Sequence, residues 1–249
     1  MPSHSLFQPY IAMNYNSFRV VVLDCPYNSW SKTETQRLFS STVEMKLRGY
    51  QPVYEHGVMP VDSYDFIATH LLVCAEEGRA LKPVTGFKSV TLSRCRKFNL
   101  PFPTSPLLRS HGEDAAHSRA VEAIIRRCEE QEKEVVFDSS WTVDPEIRSR
   151  REFTRVLQEL FISNVIHWHA PEKRHEVLGT GILRVRTNRF FERVGFQQVQ
   201  YDGEPLPPFG QASLQGASAV LIHFREGSSF ARDVADAHHR LWENRITIQ

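Results

Sequence analysis

The chain has 249 residues, of which 41% are hydrophobic and 24% charged, with a net charge of +1. That length allows one large domain or two small ones with a substantial core, and near-neutral charge argues against general nucleic-acid binding, which relies on a basic surface. No apolar run reaches the roughly 20 residues that span a bilayer, and the first residues carry no signal-peptide pattern. Cys25, Cys74, Cys95 and Cys128 lie far apart without a CxxC pair, so neither a zinc site nor a disulfide framework is indicated and the expectation is a reduced, cytoplasmic protein.

Residues 1–17 lack periodicity and read as a tail. Phe18 to Leu23 reads as a buried strand, and Ser31 with Glu34 as a capping box opening a helix that carries Phe39, Val43, Leu47 and Tyr50. Phe66 to Cys74 and Val84 to Leu92 are strand-like runs around Glu76-Glu77-Gly78, an antiparallel pair. An insertion follows over 96–134, a Pro-rich loop and then a helix from about Asp114 to Glu130. Val135 to Thr142 is the next strand. The helix after it is the clearest, with Phe153, Val156, Leu157, Leu160, Phe161 and Ile166 on one face. A short strand at Glu176 to Leu178 and a helix from Ile182 to Val194 come next, the helix closing on Gly195 as its left-handed cap. Strands at Gln197 to Tyr201 and Ala219 to Phe224 and a last helix within 228–246 complete the chain. No repeat, linker or composition break divides 18–249, which reads as one α/β domain with a mixed sheet covered on both faces.

Val143-Asp144-Pro145-Glu146-Ile147-Arg148-Ser149-Arg150-Arg151-Glu152-Phe153 follows an apolar strand and leads into an amphipathic helix. That layout suits a phosphate cradle, in which backbone N–H groups of a helix start face an anion, but the usual glycines are absent. Arg148, Arg150, Arg151 and Arg155 crowd this start, a place unfavourable for cations unless an anion sits there. They read as contacts for a phosphate or an acidic protein surface, or as a solvated face balanced by Glu146 and Glu152. Arg184, Arg186, Arg189 and Arg193 form a second basic set. His167-Trp168-His169 places two histidines on one face of a strand with no acidic or thiol partner nearby in sequence, so no metal is expected.

Val143 to Arg148 resembles the start of the acyl-donor motif of the GNAT acyltransferase superfamily, which continues Arg-x-x-Gly-x-Gly/Ala. Asn188 to Phe196 is similar to that family's late helix ending in Gly-Phe, and Val84 to Phe87 sits where its third strand begins. Within the superfamily, Asp62-Ser63-Tyr64-Asp65, Asp138-Ser139-Ser140 and Gly203-Glu204-Pro205 resemble features of the acyl-homoserine lactone synthases and N-acyl amino acid synthases. The resemblance implies a GNAT-like fold, a mostly antiparallel sheet splayed at strands 4 and 5 with helices on both faces. It also implies acyl transfer from an acyl carrier protein to a small amine or amino acid, with no tightly bound cofactor and the donor a phosphopantetheine thioester on a carrier protein or on CoA. Val143, Arg148, Ser149, Arg150, Arg151 and Arg155 would then meet the donor. Asp62, Asp65, Phe190 and Phe191 would meet the substrates, with Asp138, Ser140 and Trp141 at the chemistry.

The chain departs from the family at several positions. Arg151 and Phe153 replace small residues, leaving a CoA pyrophosphate less room against the backbone. Phe191 replaces a thiolate-protonating Tyr, and Trp141 replaces an Arg of the lactone synthases, which speaks against lactone formation. Amine attack on a thioester requires a neutral amine, oriented reactants and a stabilised oxyanion. Asp138 reads as the base or as a strand-end residue bonded to backbone. Asp62 and Asp65 read as acceptor contacts or as turn and capping residues. Backbone N–H groups near Trp141 to Val143 suit the oxyanion. The main expectation is an N-acyltransferase making an N-acyl amino acid. A CoA-dependent N-acetyltransferase and a non-catalytic binding module are the alternatives.

Overall fold

The computed structural model describes residues 18–54, 61–78, 80–109 and 115–249. The expected tail at 1–17 and the start of the 114–130 helix lie outside them. The strands are β1 (Phe18–Asp24), β2 (Thr69–Glu77), β3 (Ala80–Thr91), β4 (Glu134–Val143), β5 (His175–Ile182), β6 (Gln197–Gln198), β7 (Gln200–Tyr201), β8 (Glu204–Pro205), β9 (Phe209–Gln211), β10 (Ala217–Phe224) and β11 (Ile246–Ile248). The helices are α1 (Thr33–Tyr50), α2 (Ser63–Ile67), α3 (Leu92–Lys97), α4 (Thr104–Arg109), α5 (Ala115–Glu130), α6 (Pro145–Arg148), α7 (Arg151–Trp168), α8 (Thr187–Val194), α9 (Ser229–Ala237) and α10 (His239–Glu243).

The main sheet runs β11-β1-β2-β3-β4-β5-β10-β6, with β9 added on β10. Its pairs are antiparallel except β4 with β5 and β1 with β11. The middle strands are apolar at successive positions because both faces are covered. Val135 and Phe137 turn toward Val121, Ile124 and Cys128 of α5. Val136, between them, packs with Phe161, Ile162 and Val165 of α7. Alternation along β4 thus divides one hydrophobic run between two cores.

Parallel pairing of β4 with β5 runs from Glu134 opposite His175 to Asp138 opposite Gly179 and stops there. Both strands continue, β4 to Val143 and β5 to Ile182, so beyond that point they part. The β3–β4 register also slips between Gly86 and Lys88, which face Thr142 and Ser139. Ser140, inside the slip, has φ +60°, a left-handed conformation that bulges favour and side chains resist. Helix α1 presses on this bulge: a Cβ on Gly49 would lie 2.3 Å from Thr142 Cγ2.

Several boundaries differ from the sequence expectation. Helix α1 begins at Thr33 with Lys32 as its uncapped first residue, so Ser31 and Glu34 do not form its capping box. The long basic helix start is two helices: Asp144 caps the four-residue α6, the chain breaks at Ser149, and α7 starts after Arg150. His167-Trp168-His169 ends α7 rather than lying on a strand. Strand β5 is longer than Glu176 to Leu178, and α8 begins at Thr187, not Ile182. The last helix is two short ones followed by β11, a three-residue strand that the sequence reading missed. Gly195, at φ +123°, does close α8 as expected.

Gly86 has no room for a side chain, since a Cβ there would lie 2.7 Å from the Leu71 carbonyl oxygen and 2.6 Å from Leu72 Cδ2. Gly86→Ala is expected to cost about 1–3 kcal/mol through overpacking, read as a lower midpoint in chemical denaturation with an unchanged slope.

Candidate functional site

Where β4 and β5 part, they open onto a cavity of about 760 Å3. Its walls combine the bulge (Ser139 to Val143), the diverging end of β5 (Gly179, Thr180, Ile182), the α8 entry (Arg186, Thr187, Phe190, Phe191) and Tyr50 and Tyr54 at the end of α1. Val90, Phe137, Pro103, Pro106 and Leu107 make an apolar section, the last three from the 96–134 insertion. Trp141 stacks between Phe161 and Phe190 at centroid distances of 4.4 and 4.7 Å, with Phe191 edge-on at 5.9 Å. These four rings form one wall and hold the bulged strand against α7 and α8. Burial pushes the Tyr50 pKa up to about 12, with the nearby Thr142 and Ser140 side chains opposing, so it remains a phenol at any physiological pH.

Asp138 is the last residue of β4 that pairs with β5, and its carboxylate lines the cavity. One oxygen, Oδ2, lies 2.9 Å from Nε2 of His169. The other, Oδ1, is buried without a hydrogen-bond partner among the described residues. The sequence reading gave the His167–His169 pair no acidic neighbour; the fold brings one from 31 residues away. His169 bonds through its opposite ring nitrogen to His175 Nδ1 at 3.1 Å. The three groups therefore lie along a chain rather than around a point, and among the described residues no group of three His, Cys, Asp or Glu is placed to hold a metal ion.

Asp62 and Asp65 separate in role. Asp65 is buried at the end of a charged cluster: Lys46 bonds its Oδ1, Lys88 its Oδ2 at 2.7 Å, and the Asp62 backbone N–H its Oδ2 at 2.9 Å. Burial opposes its charge, yet the two ammonium groups hold its carboxyl well below the usual carboxylate range. With both oxygens engaged and a capping box formed with Asp62, Asp65 takes the capping role that the sequence left open beside acceptor contact. Asp62 is half exposed, bonds Lys88 at 2.7 Å and does line the cavity.

The four arginines likewise divide. Arg148 lines the cavity at the end of α6, where a cation suits the helix dipole. Arg155 lies along α7 and pairs with Glu159 at 2.8 Å, an exposed i,i+4 bridge away from the cavity. Arg150 and Arg151 mark the start of α7, where Arg150 supplies no side-chain cap; neither lines the cavity wall, and nor does Ser149, whose hydroxyl donates to the Glu146 carbonyl. Phe153 turns inward onto Phe18, ring edge to ring face at 6.2 Å, so its ring does not fill the cradle as expected. From the second basic set, Arg186 reaches the cavity, and Arg184 lies over the Tyr54 ring at 5.4 Å.

Lys88 was not singled out from sequence, Tyr50 was read only as part of the first helix's apolar stripe, and His169 only as half of a dismissed metal pair. Lys88 carried a local signal, a charge inside the apolar run Val84 to Leu92. A lysine buried in a strand requires a carboxylate partner.

No family model matches the chain, and no curated protein matches it in sequence. Solved structures do resemble it. A CoA-dependent acyl-homoserine lactone synthase, BjaI, whose structure holds SAM and isopentyl-CoA, aligns over 93% of both chains at 18% identity with a TM-score of 0.50. The chain has that enzyme's fold. It is the GNAT-like fold that the motifs implied. FeeM, an N-acyl amino acid synthase from uncultured soil microbes, aligns over 77% of this chain and 91% of its own at 10% identity, TM-score 0.49. The lactone synthase LasI aligns over 93% and 97% at 10% identity, TM-score 0.47. Among the described residues no helix is long and apolar enough to cross a membrane.

Two tests of the electrostatics follow. Asp65→Asn leaves two buried lysines against neutral oxygen and is expected to destabilise the fold by about 3–5 kcal/mol, measured by urea denaturation. Burial also lowers His70, His175 and His223 from 6.5 to about 4. Between those values the unfolded chain binds protons that the folded chain does not, so stability falls as pH drops from 6.5 toward 4. The denaturation midpoint at pH 5 should lie clearly below that at pH 7, and equal midpoints would contradict neutral buried histidines.

Proposed function

We propose that the protein is an N-acyltransferase that moves an acyl group from a phosphopantetheine thioester to the amine of an amino acid or similar acceptor. The observation that carries this reading is the parting of β4 from β5 directly after Asp138 and Gly179, opening onto the bulge and the aromatic cavity. A parallel pair that separates leaves main-chain N–H and C=O groups without β-ladder partners. A pantetheine arm carries amides able to satisfy such groups, and a thioester at the bulge would lie against Ser140 to Val143.

In the reaction an ammonium and a thioester become an amide, a thiol and one proton. Asp138 Oδ1 takes the ammonium proton, the neutral amine attacks the thioester carbon, and main-chain N–H groups at the bulge stabilise the oxyanion. As the C–S bond breaks, its electron pair leaves on sulfur and the thiolate takes the remaining proton from nitrogen. Phe191 carries no acid for that last step. Holding both reactants in attack geometry is worth roughly 7–11 kcal/mol. The apolar section under α4 suits an acyl chain, and Asp62 with Lys88 faces the acceptor side.

For the donor we favour an acyl carrier protein. Arg148 at the cavity and Arg151 at the uncapped start of α7 place cations where one phosphate and an acidic surface would approach. The inward turn of Phe153 removes one objection to CoA, which is the second reading. Incubating the protein with acyl-carrier thioesters, CoA thioesters and an amino-acid pool, with amide detected by mass, separates them. Amide from the carrier thioester alone supports our donor, turnover with CoA thioesters supports the second, and no amide from any donor overturns the transferase reading. Arg148→Ala with Arg151→Ala should raise donor KM about tenfold or more while stability changes by less than about 0.5 kcal/mol, as exposed substitutions do.

A further inference from the structure

We propose that His169 and His175 are positioning residues for Asp138: they hold its carboxylate so that one oxygen is engaged and the other is presented to the cavity. The inference rests on the acyl-transfer reading only for what Asp138 then does, since the positioning itself is a matter of hydrogen bonding.

The donor roles along this chain follow from chemistry. A carboxylate oxygen only accepts, so at 2.9 Å from Asp138 Oδ2 the Nε2 atom of His169 must carry the proton. A neutral His169 with its proton on Nε2 has a lone pair on Nδ1. The proton between the two rings, 3.1 Å apart at Nδ1 and Nδ1, then belongs to His175. His175 therefore reinforces the tautomer that Asp138 requires of His169, and the two contacts together hold the Asp138 carboxylate. Burial lowers the His175 pKa to about 4, with Lys173 acting in the same direction and Asp138 opposing, so His175 is neutral in the working range.

The surroundings favour a fixed chain over a loose contact. The His169 side chain is fully buried and the Asp138 side chain 11% exposed. His169 is the C-cap residue of α7, its backbone N–H bonded to the Val165 carbonyl at 3.0 Å. Its ring lies 6.2 Å from that of Phe224 on β10. The neighbouring Trp168 donates its indole N–H to Ser89 Oγ at 3.1 Å, and Ser89 stands opposite Asp138 in the β3–β4 register. The end of α7 is thus tied to two central strands at the residue pair where β4 and β5 part. Oδ1 of Asp138 remains the buried oxygen without a protein partner among the described residues. That arrangement matches a carboxylate built to act at one atom and to be held at the other.

The test has two readouts. In full-length protein labelled with 15N at histidine, the ring shifts of His169 should report a neutral Nε2–H tautomer, and His175→Leu should convert it to a mixed or Nδ1–H form. In the acyl-transfer assay, His175→Leu and His169→Phe should lower kcat about tenfold or more with KM within about twofold, as expected for a lost orienting group. His169→Gln, whose amide can still donate to Oδ2, should recover most of the loss. If His169→Phe fails to fold, His175→Leu with the NMR readout still decides the matter. A wild-type His169 protonated at Nδ1, or one unchanged in His175→Leu, overturns the proposal whatever the activity. The expected tautomers together with an Asp138→Asn enzyme of full activity would keep the positioning and remove Asp138 as the base.

Discussion

The structure depends on the point at which two parallel strands stop pairing. Up to Asp138 and Gly179, β4 and β5 are ordinary central strands with hydrophobic cover on both faces. Past that pair, hydrogen bonding is exchanged for a cavity, and the exchange is tolerable only because neighbouring elements brace the separated strands. A bulge turns the free end of β4, Trp141 stacks between Phe161 and Phe190, and Gly49 lets α1 approach the backbone closely. On the other strand, a Cβ on Gly181 would lie 2.7 Å from the Cα of Asn188, so the start of α8 rests directly on the β5 backbone.

Charge placement around the cavity follows the same separation of bracing from chemistry. The cluster of Lys46, Asp65 and Lys88 is buried and internally satisfied, and it fixes α1, α2 and β3 to one another. Glu176 is a second such anchor, with Arg127, His223 and Arg225 around it; burial works against its charge, and Arg127 holds its pKa down to about 2. Of the charged groups that reach the cavity, Lys88 belongs to the first anchor, while Asp62, Asp138, Arg148 and Arg186 carry fewer internal bonds. Most charged side chains saturated by the protein support the frame, Lys88 alone among the described anchor residues touching the cavity as well.

The sequence made most of the sheet legible because its strands are hydrophobic on both faces and its turns carry glycine or charge. Asp138, Trp141 and the aromatic pair Phe190-Phe191 came into view through the resemblance of their segments to acyltransferase motifs, not through periodicity alone. The break at Ser149 was hidden, since neither proline nor glycine marks it and the periodicity of α7 runs back through Arg151 without interruption. The partnership of Asp138 with His169 and His175 was hidden for a different reason. Its three members come from a strand, a helix end and the next strand, and only tertiary packing aligns them. Asp65 left two readings open because a capping, ion-paired carboxylate and a ligand-binding one have the same sequence signature.

The edge strand β11 bears on how the molecule is made. Strand β11, three residues from the C-terminus, lies parallel to β1, pairing Val21 with Ile246 and Leu23 with Ile248, and Lys32 donates to the carbonyl of Gln249 at 2.7 Å. During synthesis from the N-terminus, β1 and its partner β2 emerge long before the residues that cover their outer edge. Until β11 has emerged, β1 presents unpaired backbone groups on that side, the kind of edge on which nascent chains associate. Completion of the sheet therefore waits on residues 246–248, and a chain cut short before them would carry an open β1 edge.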